Sequence, residues 1–299
     1  MDERIAVQES PPQPPRPETG ADAVLLRPLA SIADYDEAVV LQDEIWGAGF
    51  SDRVPASILR VGQKVGGVSA GAFDASGHML GFVFGLTGVR DGLLVHWSDM
   101  LAVREHARGM RLGERLKTYQ RDIVRAMGVE KMFWTFDPLV ARNAHFNLNR
   151  LGARVFEYVP DMYGNNTGSV LHSGFGTDRF IVTWSLTAQG PDASSGGNVP
   201  SESQPLPPMS SIPSLNPMFD ASPVEREDHA THIASSRPPL LRVEIPSDIF
   251  EVNAAAPATA KRWRAVTRAA FQWALANGYN VERFERGPAG VGSYVLARG

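Results

Sequence analysis

The sequence predicts an α/β (α+β) fold, helices packed on a central sheet, and two observations predict it. Segments whose apolar residues recur at three and four alternate with short apolar runs of strand length, in the order β, α, α, β, β, β, α, β, α, β, β from residue 23 to residue 186. The 299 residues are 43% hydrophobic and 21% charged, the balance of a chain that buries an ordinary globular core.

Composition divides the chain before any element is assigned. Residues 1–22 are polar and Pro-rich and read as a disordered tail, and residues 187–239, dominated by Ser, Pro, Gly, Asn and Asp, read as a flexible linker or insertion. That leaves a main block, 23–186, and a C-terminal block, 240–299. About sixty residues are few for an independent core, so the second block is expected to dock on the first.

The elements follow in order. Ala23 to Arg27 is a strand, and Ser31 with Asp34 three residues on offers a capping box to a helix reaching Trp46. A second helix follows Pro55. Two β-rich runs, Ser69–Asp74 and Met79–Thr87, flank Asp74-Ala-Ser-Gly77, residue types that suit a hairpin turn, and Leu93–Val103 is a third run. Leu112, Leu116, Tyr119, Ile123 and Met127 place one apolar face on a helix that Gly128 ends. Lys131–Phe136 is a buried strand, Ala141–Leu151 a helix, and Arg154–Tyr158 and Arg179–Leu186 two further strands. In the C-terminal block Leu240–Ile245, Ala258–Ala276 and Ser293–Leu296 read as strand, helix and strand.

Several classes of function are disfavoured at this level. A formal net charge of -4 gives no general electrostatic hold on a nucleic-acid backbone. With no cysteine, a thiolate nucleophile, a cysteine thioester and a Cys-ligated zinc are all ruled out. The acidic, Pro-rich start is the reverse of a secretory leader, and no apolar run approaches the roughly 18 residues of a membrane span, so the expected location is cytoplasmic.

The segment Met100-Leu-Ala-Val-Arg-Glu-His-Ala-Arg-Gly-Met-Arg-Leu-Gly113 takes a strand through a glycine-containing turn into the clearest helix of the chain. Such a turn aims backbone N–H groups at one point, at the positive end of the helix dipole, where a phosphate or pyrophosphate can sit. Arg108 and Arg111 add positive charge there. The segment resembles the acyl-CoA signature of the GNAT superfamily of N-acyltransferases, Gln/Arg-x-x-Gly-x-Gly/Ala, and the element order is also that superfamily's. Arg108, Leu112 and Gly113 fit the pattern, whereas Arg111 stands in place of its first glycine, where a side chain either crowds the pyrophosphate or bonds to it. Downstream, Trp134-Thr-Phe-Asp-Pro, Arg142-Asn-Ala and Leu151-Gly-Ala resemble the superfamily's next motif, in the wording of a little-described subgroup of GNAT acetyltransferases. The C-terminal Val243-Glu-Ile-Pro and Trp263-Arg-x-x-Thr-Arg268 resemble that subgroup's extension.

The resemblance implies a mixed sheet in which two parallel strands, Leu93–Val103 and Lys131–Phe136, splay apart around the pantetheine arm of acetyl-CoA or another acyl-CoA. Cofactor contacts then fall to Leu101, Ala102, Val103, Arg108, Gly109, Met110, Arg111, Leu112, Gly113 and Asn143, the last of which could equally be a helix cap. An acceptor amine attacks the thioester directly and needs a proton acceptor. Asp99 is the favoured base and His96, on the opposite face of a regular strand, its rival. The tyrosine that many family members place four residues before the motif's glycine is Leu148 here, so Tyr158 or an ordered water stands in as acid, or the step runs without one. A small-molecule amine is the expected acceptor, and a homodimer through edge strands is a further implication. The alternatives are a non-catalytic acyl-CoA sensor or scaffold of the same fold, and a protein N-acetyltransferase. No metal is expected, since His229 and His232 have helical spacing but lack a third ligand. Arg264 and Arg268 read by default as a solvated helix face.

Overall fold

The computed structural model describes residues 24–164, 167–169, 174–186, 207–216, 232–233, 235–287 and 290–299. The tail, most of the expected linker and His229 lie outside these residues. Ten strands form two sheets: β1 (Leu25–Pro28), β2 (Val68–Phe73), β3 (Met79–Arg90), β4 (Leu93–Val103), β5 (Lys131–Phe136), β6 (Arg154–Val159) and β7 (Arg179–Ser185) in one, and β8 (Leu240–Pro246), β9 (Tyr279–Arg286) and β10 (Val291–Arg298) in the other. The large sheet runs β1-β2-β3-β4-β5-β7-β6 and the small one β8-β10-β9. Every pairing is antiparallel except β4 with β5, which makes the large sheet mixed.

Helices α1 (Ile32–Trp46) and α2 (Ala56–Lys64) cover one face of that sheet, and α3 (Leu112–Ala126) and α4 (Ala141–Ala144, extended by the π-helical turn His145–Arg150) the other. The predicted start of α1 is present in detail: Ser31 accepts from the Asp34 amide, and Asp34 accepts from the amides of Ala30 and Ser31 and pairs with Arg27 at 2.6 Å. That arrangement satisfies orphan amides and locks β1 to the helix it feeds. On α3 the buried stripe differs from the apolar reading. Leu112, Leu116, Gln120 and Val124 point inward together with Lys117, while Met127 is exposed. Two polar residues therefore sit where an apolar count sees only gaps. The helix expected over 141–151 is α-helical only to Ala144 and continues as a π-helical turn over His145–Arg150.

Two elements of the C-terminal block were not predicted, the short helix α5 (Ile249–Ala255) and strand β9; α6 (Pro257–Ala276) was. Phe271 of α6 packs edge-on to Phe180 of β7, with ring centroids 4.7 Å apart, and lies 5.1 Å from Tyr294 of β10. The aromatic core thus runs unbroken from β6 and β7 into the small sheet. Asn149 of α4 gives and takes a backbone hydrogen bond at Phe284 of β9, and the Tyr294 hydroxyl donates to the Pro138 carbonyl. The described residues 207–216, placed by composition in the linker, lie along β8 instead, where Asn216 bonds both backbone groups of Glu244.

Candidate active site

Strands β4 and β5 pair at three positions only, Val95 with Lys131, His96 with Met132 and Trp97 with Phe133. Beyond that they part. A cleft of about 290 Å³ opens between Ser98, Asp99, Met100 and Leu101 on one side and Trp134, Thr135, Phe136 and Asp137 on the other. It also touches Trp46, Phe50 and Asp52 from the α1 face of the sheet, and Lys117, Asn143 and Phe146 from the α3 and α4 face. The gap therefore passes through the sheet and is open to groups approaching from both layers.

A bulge shapes the β4 wall. Phe84 pairs with Met100 and Gly85 with Ser98, leaving Asp99 without a partner on β3. An unpaired residue re-aims its side chain and breaks the regular alternation, so Asp99 opens onto the cleft. Asp99 itself stays solvent-exposed; crowding by the cleft walls strips part of its hydration and pushes its carboxyl pKa up, and the neighbouring Asp52 adds to the shift, against opposition from a Trp97 hydrogen bond and Lys117.

His96, the rival base, does not reach the cleft. It is fully buried, its Nδ1 faces Thr87 Oγ1 at 3.0 Å, and burial followed by the Lys117 charge lowers its pKa to about 3. A neutral ring sealed beneath the sheet has no path to an incoming amine. Tyr158 is displaced as well: its hydroxyl donates to Asp178 inside the aromatic core, and burial, then that carboxylate, pushes its pKa far up. The tyrosine that does line the cleft is Tyr163, whose hydroxyl meets Thr135 Oγ1 at 3.1 Å. Burial first, and then the charges of Asp99 and Asp52, keep its phenol protonated, opposed by the Thr135 bond and Arg179. Tyr163 lies in a Gly/Asn-rich stretch with no periodicity, so no sequence signal marked it.

The cofactor candidates fall into two groups. Leu101 and Asn143 line the cleft, with Ala102 and Val103 continuing along β4; Asn143 makes no capping bond, since Val140 holds the cap position of α4. Arg108, Gly109, Met110, Arg111, Leu112 and Gly113 form the turn into α3. Gly109 has φ 95° and Arg111 φ 56°, and Arg111 caps the helix without a side-chain bond. Glycine is favoured at such an angle because a Cβ costs roughly 1–2 kcal/mol there. The Arg111 guanidinium does not fill the turn. It folds back on Glu114 at 2.9 Å, which Arg150 also holds. The first α3 amides thus lack acceptors within the helix. A Cβ on Gly113 would meet Phe146 at 3.4 Å and Leu101 at 3.8 Å, so the start of α3 packs beside two residues that line the cleft.

The most unusual lining residue is Lys117. It is 3% exposed, its Nζ donates to Ser98 Oγ at 2.7 Å, and it stands 4.2 Å over the Trp134 ring. Burial holds its pKa well below that of a free lysine, against the pull of Asp99. Beside it, Gln120 and His96 Nε2 are buried without hydrogen-bond partners, and Gly85 gives them room: a Cβ there would lie 2.3 Å from that nitrogen.

The C-terminal block reaches the same place. Phe250 of α5 lines the cleft, with the Arg142 guanidinium 5.6 Å from its ring. Arg264 of α6, expected on a solvated face, is buried instead: it donates to Asp137 Oδ2 at 2.6 Å and to the Phe175 carbonyl at 2.9 Å. Arg268 is held by Asp178 and Asp161. Among the described residues no group of three or more His, Asp or Glu side chains could hold a metal, and no helix is long and apolar enough to cross a membrane.

No family model matches the chain, and no curated protein matches it. Solved structures do. A GNAT superfamily phosphinothricin acetyltransferase from Sinorhizobium meliloti, in complex with AcCoA, is 16% identical with a TM-score of 0.45 over 55% of this chain and 89% of its own. An alanine N-acetyltransferase of a ribosomal protein from Escherichia coli is 15% identical with a TM-score of 0.44 over 56% and 97%. An aminoglycoside 6'-acetyltransferase is 14% identical with a TM-score of 0.44 over 55% and 97%.

Proposed function

We propose that this chain is an acyl-CoA-dependent N-acyltransferase of the GNAT type, moving an acetyl or larger acyl group such as succinyl to an amine. The observation that carries the reading is the cleft through the sheet where β4 and β5 part, with a bulged carboxylate, Asp99, on its β4 wall. A pyrophosphate suits the free amides and positive dipole end of α3, and a narrow arm suits the cleft between β4 and β5 that Leu101 and Phe146 line. When bound, acyl-CoA supplies an acyl carbon activated as a thioester.

The residues of the chain then divide the remaining work. Leu101, Ala102 and Val103 offer the β4 backbone that β5 leaves unpaired. An acceptor amine enters past Trp46, Phe50 and Asp52, whose negative charge beside that of Asp99 favours a cationic group. Asp99 takes the proton that the amine must lose, and its raised pKa strengthens it as a base. Tyr163, held protonated, gives a proton to the departing sulfur in place of Tyr158. A small-molecule amine is the acceptor we assign to a cleft of this size.

Calorimetric titration with acetyl-CoA, succinyl-CoA and free CoA tests the reading. Binding of one thioester is expected, selecting the donor for an amine screen, and an Arg108→Ala, Arg111→Ala variant separates the turn's charge from its backbone. If none of the three binds, the acyltransferase reading fails.

A further inference from the structure

The chain contains four lysines, Lys64, Lys117, Lys131 and Lys261, among 29 basic residues. Three are exposed and only Lys117 is buried. Ordinarily a buried ammonium is paired with a carboxylate or avoided, because stripping water from it costs several kcal/mol. Here the Nζ has one hydrogen-bond partner, the neutral Ser98 Oγ, and the face of Trp134. Its ε-amine lines the cleft at the point where β4 and β5 begin to part, beside Ser98, one residue from Asp99 along β4. The residue performs no task in the acyl transfer to an external amine.

We propose that Lys117 is a self-acylation site, taking the acyl group of a bound acyl-CoA onto its own ε-nitrogen when no external amine occupies the cleft. This inference rests on the acyl-CoA reading of the cleft. In the step, the Nζ lone pair attacks the thioester carbonyl carbon; a C–N bond forms, and the C–S bond breaks with its electron pair leaving on sulfur. The proton lost by nitrogen passes to the sulfur, directly or through Asp99, giving free CoA and an amide-linked acyl-lysine. Only a neutral amine can do this, and burial favours that form of Lys117. The product is an amide, far less activated than a thioester, so the group stays where it lands and is not passed on. An acyl chain held there occupies the cleft that Leu101, Trp134 and Asn147 also line.

The small number of lysines makes the test direct. The full-length protein is incubated with acetyl-CoA at neutral pH, digested and mapped by mass spectrometry, with calorimetric binding of CoA measured on the same preparation. Uncatalysed transfer favours exposed amines, whereas the site predicts acetylation at Lys117 at least tenfold faster than at Lys64, Lys131 or Lys261, with the preference lost in urea. A Lys117→Met variant loses the fast label while Lys64, Lys131 and Lys261 label at their wild-type rates; should that variant fail to fold, the wild-type map decides by itself. CoA binding without preferential labelling of Lys117 overturns this inference and leaves the acyltransferase reading standing. Absence of CoA binding removes both.

Discussion

Asp99 and Lys117 face the same opening and are driven in opposite directions by the same cause. Desolvation penalises the charged form of each, in part at the exposed Asp99 and fully at the buried Lys117, raising the carboxyl and lowering the amine. For Asp99 the consequence is kinetic. As the proton acceptor it must be ionised, so acyl transfer falls as pH drops through its raised pKa and the rate profile has an acid limb. Asp99→Asn should lower turnover about 10²- to 10⁴-fold, leave CoA binding unchanged in calorimetry and abolish that limb. For Lys117 the consequence is a cost to folding. Its folded pKa is depressed, so unfolding takes up a proton at every pH between the folded value and the ordinary lysine value, and stability rises with pH across that window. Lys117→Met should therefore raise the urea midpoint at neutral pH and flatten its increase toward alkaline pH. A midpoint that falls, with unchanged pH slope, would show the lysine to be charged and well compensated.

At the level of elements, what could be read from the sequence depended on whether apolar spacing alone built the element. The strands β4 and β5 and the helix α1 with its Ser31–Asp34 box are where the residue pattern puts them, because an apolar run marks each strand and the cap of α1 is local. Strand β9 does not show in the residue pattern because Tyr279-Asn-Val-Glu-Arg-Phe-Glu-Arg286 is half charged or polar and its buried Tyr279, Val281 and Phe284 do not keep a strict alternation. The inward face of α3 was misjudged by one position because Lys117 and Gln120 belong to it. On the site, the turn into α3 and Asp99 were legible as a motif and a strand position. Tyr163, Phe250 and the burial of Arg264 were not, since each depends on a partner remote in sequence. The Arg264–Asp137 pair joins α6 to the end of β5 across 127 positions, with both side chains inside the protein. Breaking such a pair strands the remaining charge, and Arg179 at 3.5 Å compensates Asp137 only partly. Arg264→Ala should cost about 3 kcal/mol of stability, measured by urea unfolding, a loss that a solvated arginine would not produce.

For the molecule as a whole, the two sheets share one aromatic core through Phe180, Phe271 and Tyr294. We therefore expect a single unfolding transition, with far-ultraviolet circular dichroism and tryptophan fluorescence tracing the same curve. Two separated transitions would mean that residues 240–299 fold as a unit of their own. The bond from the Tyr294 hydroxyl to the Pro138 carbonyl spans 156 positions and joins the last strand to the loop after β5. Contacts of such separation delay folding, because the loop must close before they reward it. During synthesis, β5 and the loop that follows it emerge long before the residue that secures them has been made. The wall of the cleft is thus completed only once β10 has left the ribosome, and a message truncated ahead of that strand would yield a protein whose first block is intact in sequence and unfinished in structure.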